Sequence, residues 1–527
     1  MSWAETMGSA IQRLGLAVSG RPSAPSRNPR KSGARNLITA GRADRLAGDW
    51  PATPVAVDDI VLRNLKTIRA RSRNDYFNNG YIRRFDKMVE TNLVGPRGVV
   101  LQPRIVDEYG KPDPLADQTI ERAWQGWGRL KDCDSRRRLT WTGMQRQAAA
   151  NAAIDGEILA VTDMVNDAAG YRFSVRLVDP ELLDVNRNEP LRDGARICMG
   201  IEMDATGSVV AYHLTNQPDT ATASSGWSYG TTQRIRILAD RVIHAYIPEL
   251  VGQSRGLPWA AAGLWDAHLI AKYGEASLVA ARQGANSPLF IRDAEDQRFV
   301  GAGEDADGNT VLPSEPGEYG RLMFGQELVA HDNPYPKGEF DPFVKSCLRK
   351  LASSVGVSYN LLASDLEGVN YSSIRAGVLE EREIWKALQE WFIESFCFEV
   401  YRRWLRFNLM FGTLTVPTTN GPRPLSLDRE EKYHQVHWQA RRWPWVDPMK
   451  DQQANRLALD TFQTSPQKLA RESGHDFEAI VDEIAAAKAY VQSKGLDWIG
   501  AVAAVAAQPD ATAANETDQT GEESSNE

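Results

Sequence analysis

Asn370–Phe411 reads NYSSIRAGVLEEREIWKALQEWFIESFCFEVYRRWLRFNLMF, and no proline follows before Pro417. Within it Ile374, Val378, Trp385, Leu388, Phe392 and Phe396 succeed one another at intervals of 4, 7, 3, 4 and 4, a spacing that lays an apolar stripe along one side of an α-helix. Asn370 or Ser372 can cap it by accepting from free backbone amides. About 38 residues at 1.5 Å rise make a rod of roughly 57 Å, far longer than the usual helix of about 11–12 residues. Such a rod needs a large body beside it and points to a subunit of an assembly.

Upstream, Ile60, Leu62, Leu65, Ile68, Phe77, Ile82, Phe85, Met88 and Val89 recur at mostly helical spacing, broken at Asn78-Asn79-Gly80. This predicts helix, turn, helix, with Gly95-Pro96 as the stop. Val99–Ile105 reads as a strand, Asp117–Leu130 as a helix with Ile120, Trp124 and Trp127 on one face, and Thr140–Ile154 as another helix. Short β-type runs follow at Glu157–Met164, Phe173–Val178, Gly200–Met203, Val209–Leu214, Arg234–Ile237 and Val242–Tyr246, with turn signals at Asp155-Gly156 and Thr206-Gly207. Residues 57–250 therefore read as one α+β domain. Pro258–Gln283 predicts a helix of about 25 residues and Asp341–Val355 a second, with a Gly/Pro-rich excursion between them whose strand-like pieces are Pro288–Ile291 and Arg321–Phe324. Beyond the rod, a β-like link at Leu414–Val416 leads to residues 428–497, which are expected to be helical again. The class is α+β, mainly helical.

With 527 residues, 42% hydrophobic and 25% charged, the chain has an ordinary globular balance and room for three or four folding units of about 150 residues. That excludes a small disulfide scaffold and a wholly disordered chain. The longest apolar run, Ile499–Ala507, is far short of the ~20 residues a spanning helix needs, so no membrane partner is expected. Cys133, Cys198, Cys347 and Cys397 form no CxxC pair, which suits a reducing cytoplasm. Met1–Gly20 has only Arg13 as a basic residue and no sustained apolar core, unlike a secretory signal. The net charge is −8, but residues 1–90 carry 16 Lys/Arg against 8 Asp/Glu, while residues 91–527 carry 45 against 61. A basic arm thus precedes an acidic body. Gly20–Asp49 reads as flexible or extended, either meeting phosphate or an acidic partner or serving as a solvated lead-in. Gln508–Glu527, with six acids and no base, reads as a disordered tail.

Catalytic and cofactor signatures are sparse. Gly110-Lys111 is followed by Pro112 and forms no phosphate-wrapping GxxxxGK[ST] loop, and HExxH is absent. Gly252-Gln253-Ser254-Arg255-Gly256 matches GxSxG, yet Pro248 and Pro258 flank it, so a Gly-bounded turn stands against a nucleophilic Ser254. Gly301-Ala302-Gly303 lacks a helix start, and Asp305, Asp307 and Asn309 alternate like a calcium loop but with Gly308 out of register. His434 and His437, beside Glu430 and Glu431 on an expected helix, could hold a metal or serve structure. Asp365 with Glu367, and Asp179 with Glu181, are either acid/base pairs or solvated loop carboxylates. No cofactor, metal or catalytic residue is assigned. The 15 tryptophans fit core and subunit packing better than base stacking.

Five worded segments recur in order. They are Asn78-Asn79-Gly80-Tyr81 through Asn92-Leu93-Val94-Gly95; Gly252-Gln253-Ser254-Arg255-Gly256-Leu257-Pro258; Gly356-Val357-Ser358-Tyr359; Asp365 with Asn370-Tyr371-Ser372-Ser373-Ile374-Arg375; and Trp443-Pro444 with Val446-Asp447-Pro448-Met449-Lys450. In this wording and spacing the chain resembles the lambda-type portal proteins of tailed bacteriophages along about residues 57–497. The arm and tail lie outside the match. The resemblance implies a non-enzymatic virion protein: a ring of twelve subunits at one capsid vertex, the head–tail connector through which double-stranded DNA is packaged by terminase and later ejected into the tail. It also implies major capsid or scaffold protein and head-completion or tail proteins as partners, and host cytoplasm as the place of assembly. Residues 57–257 would be wing, 258–285 and 340–355 stem, 286–339 clip, 356–372 the channel loop, 373–427 the long wing helix and its link, and 428–497 crown. The flexible arm would then be residues 1–56 and the acidic tail 498–527. The alternatives are another head or tail structural protein, or a hydrolase using Ser254 or the carboxylates.

A channel must let a polyanion slide, and each neutralised phosphate adds affinity that acts as a brake. Ser364, Asp365, Asn370, Tyr371 and Ser372 are therefore expected to present polar or acidic groups to the duplex, with few Lys/Arg nearby. The competing reading is that the segment only caps the long helix, with Arg375 paired to Glu380 or Asp365.

Overall fold

The computed structural model describes residues 53–494 apart from 131, 168–169, 216–233, 286–288, 294–302, 305–309, 312–325, 331–339, 368–370, 420, 444–447 and 473–476. The chain divides after Val55, and every described helix and strand belongs to the unit from Ala56 onward. The arm and tail expected at residues 1–56 and 498–527 lie almost wholly outside the described residues.

Asn79 separates helix α1 (Val57–Asn78) from α2 (Gly80–Leu93), its Oδ1 accepting from the Tyr81 and Ile82 amides as an N-cap. Strand β1 (Val100–Pro103) leads to α3 (Pro114–Trp127), which Asp113 caps, and α4 (Trp141–Asp155) starts at a Thr140 cap. Gly156, at φ +84°, closes α4 in the left-handed region and feeds β2 (Glu157–Asp167). With β3 (Gly170–Val178) and β9 (Val242–Tyr246), β2 makes an antiparallel sheet in the order β3-β2-β9. A second antiparallel sheet runs in order through β4 (Glu189–Pro190), β5 (Arg196–Cys198), β6 (Ile201–Met203), β7 (Val209–Thr215) and β8 (Arg234–Leu238). The first two of these strands are too short and polar to stand out in the sequence.

Alternation along β2 explains why this region has two cores. Ile158 and Ala160 face the main core with the helices, while Leu159 and Val161 face a second one with Ile201, Tyr212 and Leu214. Successive side chains of a strand point to opposite faces, so a strand covered on both sides reads as an unbroken apolar run.

Helix α5 (Leu264–Ala285) begins later than the expected Pro258, because Trp259 N–H bonds to Ala153 O and residues 258–263 turn. It runs antiparallel to α6 (Phe340–Ser354): Asp266 pairs with Lys350 at 2.8 Å, and Tyr273 lies against Phe340 and Phe343. A Cβ on Gly263 would come within 2.3 Å of Ser354 Oγ, so glycine permits the close approach. Between the two helices, β10 (Leu289–Asp293) pairs with β13 (Gln326–Ala330), and β11 (Gly303–Glu304) with β12 (Thr310–Val311). The Arg321–Phe324 piece and the Asp305, Asp307 and Asn309 alternation lie outside the described residues.

After α7 (Tyr359–Ala363), the rod runs as α8 (Tyr371–Phe392), a π turn (Ile393–Cys397) and α9 (Phe398–Met410). It starts at Tyr371, so Ser372 lies in its first turn and is not the N-cap. A π turn adds a residue to one turn, and here Phe396 and Cys397 are both buried. Trp385, Phe392 and Phe396 of the expected stripe are buried in the main core. The strands β14 (Thr415–Thr418) and β15 (Gly421–Pro424) form a hairpin.

Residues 428–497 are not helical throughout. Leu427–His434 is a 3₁₀ segment and Val436–Gln439 is strand β16, antiparallel to β1 with Leu101 opposite Trp438. The edge of β1 needed a partner for its amides. Helices α10 (Pro448–Asp460), α11 (Pro466–Glu472) and α12 (Phe477–Ser493) follow. Trp124 sits at the centre of the aromatic core, its ring centroid 4.7 Å from that of Trp127, 5.5 Å from Trp141, 5.0 Å from Trp404 and 5.6 Å from Tyr401. Among the described residues no helix is long and apolar enough to cross a membrane.

Candidate functional site

Two places gather the segments singled out in the sequence. The first is built on Glu157, the lone acid at the head of an apolar strand. Its side chain is fully buried, and such a carboxylate requires charged partners. Arg255, equally buried, supplies both arms: Nε donates to Oε1 at 2.7 Å and Nη2 to Oε2 at 2.9 Å. The Gly256 amide adds a third bond at 2.8 Å, and Arg69 of α1 approaches to 3.4 Å. Burial alone would raise the Glu157 pKa, but the Arg255 and Arg69 charges outweigh it and hold the group well below the usual carboxylate range. The remaining Arg255 donors reach the Met199 and Pro180 carbonyls, at 3.0 and 3.2 Å.

The rest of this segment is equally committed. Gln253 accepts from the Glu249 amide and donates to Arg255 O, and Ser254 Oγ donates to Asp58 Oδ2 at 2.6 Å. The GxSxG match is therefore a turn stitched to α1. Gly256 passes so close to Gly156 that a Cβ would lie 2.1 Å from Gly156 O. Asp179 and Glu181 share Arg73 with Asp155.

Asn79, besides capping α2, donates through Nδ2 to Ala267 O on α5 at 3.1 Å, while at Gly80 nothing among the described residues lies near a Cβ position. Gly95, at φ +69°, offers its carbonyl to Arg146. Asn92 Oδ1 accepts from Arg441 and from Trp443 Nε1, and its carbonyl takes Gln389 Nε2 of the rod. Segments far apart in sequence thus meet in one scaffold.

The second place is the loop before the rod. Ser364 ends α7 at φ +55°. Asp365 is already engaged: the Tyr359 hydroxyl donates to it at 2.7 Å, and Lys345 lies 3.8 Å away. Lys345 also pairs with Asp341 at 2.9 Å and Glu367 at 3.1 Å, and Arg349 lies over the Tyr359 ring. Two cations of α6 therefore stand beside a loop expected to have few. The Tyr359 bond holds the Asp365 carboxyl below its ordinary range, while burial and Asp365 push the Tyr359 hydroxyl up to about 12. Buried Glu381 ties the loop to the rod, accepting from the Ser358 amide and Trp385 Nε1. Asn370, Asp447 and the side chains of Tyr371, Ser372, Arg375, Pro448 and Lys450 lie outside the described residues, and with them the Arg375–Glu380 or Arg375–Asp365 pairing.

His434 and His437 occupy different elements, a 3₁₀ segment and β16, and so share no helical face. No cluster able to hold a metal occurs among the described residues.

Sequence reasoning missed Glu157, Arg69, Glu381 and Gln389. Only Glu157 carried a signal, a charge opening a run of buried residues.

The family model for lambda-family phage portal proteins matches residues 43–389. The chain belongs to that family. A probable portal protein of Halomonas phage phiHAP-1 is 30% identical over 451 residues, 84% of each chain. Portal protein B of Escherichia phage lambda is 21% identical over 458 residues, 82% of this chain and 85% of that one. Among solved structures, a chain from the neck of a native gene transfer agent particle covers 78% of this portal protein and 94% of itself at 12% identity and a TM-score of 0.39. An HK97-family portal protein from Corynebacterium diphtheriae reaches 0.29 at 11% identity, covering 59% and 84%. Overlaps of that size leave the assignment with the sequence matches. The chain is thus a phage portal protein, of a structural and not an enzymatic family.

Proposed function

We propose that twelve copies of this portal protein close into a ring at one capsid vertex. Double-stranded DNA enters through its bore, driven by terminase, and later leaves through it into the tail. The observation that carries this reading is the family match over residues 43–389, together with a portal relative aligned across 84% of both chains. The long rod and the antiparallel α5–α6 pair are parts a ring with a braced bore would use.

In this reading residues 57–257 and the rod with its link, 373–427, make the wing, residues 258–285 and 340–355 the stem, residues 286–339 the clip, residues 356–372 the channel loop, and residues 428–497 the crown. Ser364, Asp365, Asn370, Tyr371 and Ser372 face the duplex, with Asp365 and Glu367 balanced by Lys345. The basic arm grips internal DNA or capsid or scaffold protein, assembly takes place in host cytoplasm, and head-completion and tail proteins dock on the finished ring.

Negative-stain images of the purified chain are expected to show rings with a central hole. A compact single subunit under every condition, with the protein missing from virions, sinks the proposal, as does a stacked tube or baseplate. Removing residues 364–372 is expected to change packaged DNA length; normal length discards the channel role of that loop. Removing residues 1–50, with procapsid incorporation and DNA content assayed separately, distinguishes the two tasks of the arm.

A further inference from the structure

A cleft of about 600 Å³ opens where the turn after α2 meets the chain leaving β16. Among the described residues four arginines line it, Arg97, Arg146, Arg441 and Arg442, against one acid, Glu90, which Lys87 already neutralises at 2.6 Å. Arg146 and Arg441 are fixed by the Gly95, Pro96 and Thr91 carbonyls and the Asn92 side chain. Arg97 and Arg442 are exposed and pair with no acid among the described residues. On a chain of net charge −8, such a concentration of guanidinium groups is a site for a multiply charged anion, since fixed donors and loss of water strengthen each contact.

We propose that this cleft binds the chain's own acidic C-terminal segment, Gln508–Glu527. That segment carries six acids and no base, and five of the acids fall between Glu516 and Glu527. Its origin lies close enough. Glu478, at the start of α12, pairs with Arg104 at 2.9 Å, and Arg104 adjoins the strand whose Val100 lines the cleft. Strand rise, two side chains and the length of α12 put Ser493 within about 50 Å of Val100. The chain from Ser493 to Glu516 can span up to about 78 Å, so the acids reach the cleft. With the segment seated, the arginines are withheld from other polyanions, and DNA must compete for them. The cleft is lined by residues of one copy, so the contact needs no residue of a neighbouring copy.

A chain lacking residues 508–527 should bind a synthetic Gln508–Glu527 peptide, read by fluorescence anisotropy, whereas the full chain should not, its cleft being occupied. The Arg97→Glu and Arg442→Glu double variant of the shortened chain should lose affinity by about tenfold or more. Both side chains are exposed, so an unchanged melting temperature serves as the folding control. Raising the salt should weaken binding in parallel. A short DNA duplex should bind the shortened chain more tightly than the full chain. Absence of peptide binding to the shortened chain, equal binding by the double variant, or equal peptide binding by the full chain would each overturn the proposal. None of these results bears on whether rings form.

Discussion

Glu157 and Arg255 face each other through two parallel hydrogen bonds, of 2.7 and 2.9 Å, at a point where neither side chain reaches solvent. The pair joins the head of β2 to the turn that precedes α5, and Arg69 brings α1 to the same carboxylate. Because two desolvated charges are costly unless paired, removing one partner is worse than removing both. Arg255→Met should lose about 3–5 kcal/mol of stability, and Glu157→Gln combined with Arg255→Met should recover part of it. Urea unfolding of the single and double variants measures the coupling, and additive losses would contradict it.

Asp86 on α2 is a buried carboxylate whose Oδ2 has no hydrogen-bond partner among the described residues. Burial, reinforced by the Asp155 charge, pushes its pKa from 3.8 to about 8. The folded chain thus holds a proton that the unfolded chain releases above about pH 4. Its contribution is fully present below that pH and is lost as pH rises to about 8. Asp86→Asn removes the dependence. The variant's advantage in urea midpoint should widen from pH 5 to pH 8 and then level off; a gap that narrows with pH would refute the assignment.

Gly256 shows what a missing side chain permits. An added Cβ would meet Gly156 O at 2.1 Å and Tyr246 Cβ at 2.7 Å, inside the segment that holds Arg255. Gly256→Ala should cost more than about 3 kcal/mol or prevent soluble expression. Gly80→Ala, where nothing among the described residues lies near, should be nearly neutral in the same thermal melt.

Asn79 both caps α2 and donates to Ala267 O on α5. Asn79→Ala loses both, about 1–3 kcal/mol, while Asn79→Asp keeps the cap and loses only the tie to α5. The aspartate variant should fall between wild type and alanine in denaturant midpoint. Equal loss in both variants would assign the whole effect to the tie.

The elements with a regular apolar period were legible in the residues alone. The α1–α2 break at Asn79, the tryptophan face of α3, the Thr140 start of α4 and the stripe of the rod needed only local periodicity and capping chemistry, which neighbouring residues determine. The family could be read for a similar reason, since its worded segments keep their order and spacing along the chain. Which distant groups meet was another matter. The Glu157–Arg255 pair, the β1–β16 ladder that broke an expected helix, the π turn at Ile393–Cys397, and the pairing of Asp365 with Tyr359 and Lys345 all join residues by desolvation, edge pairing or packing across the fold. Those energies depend on what stands opposite, and only the folded chain supplies that.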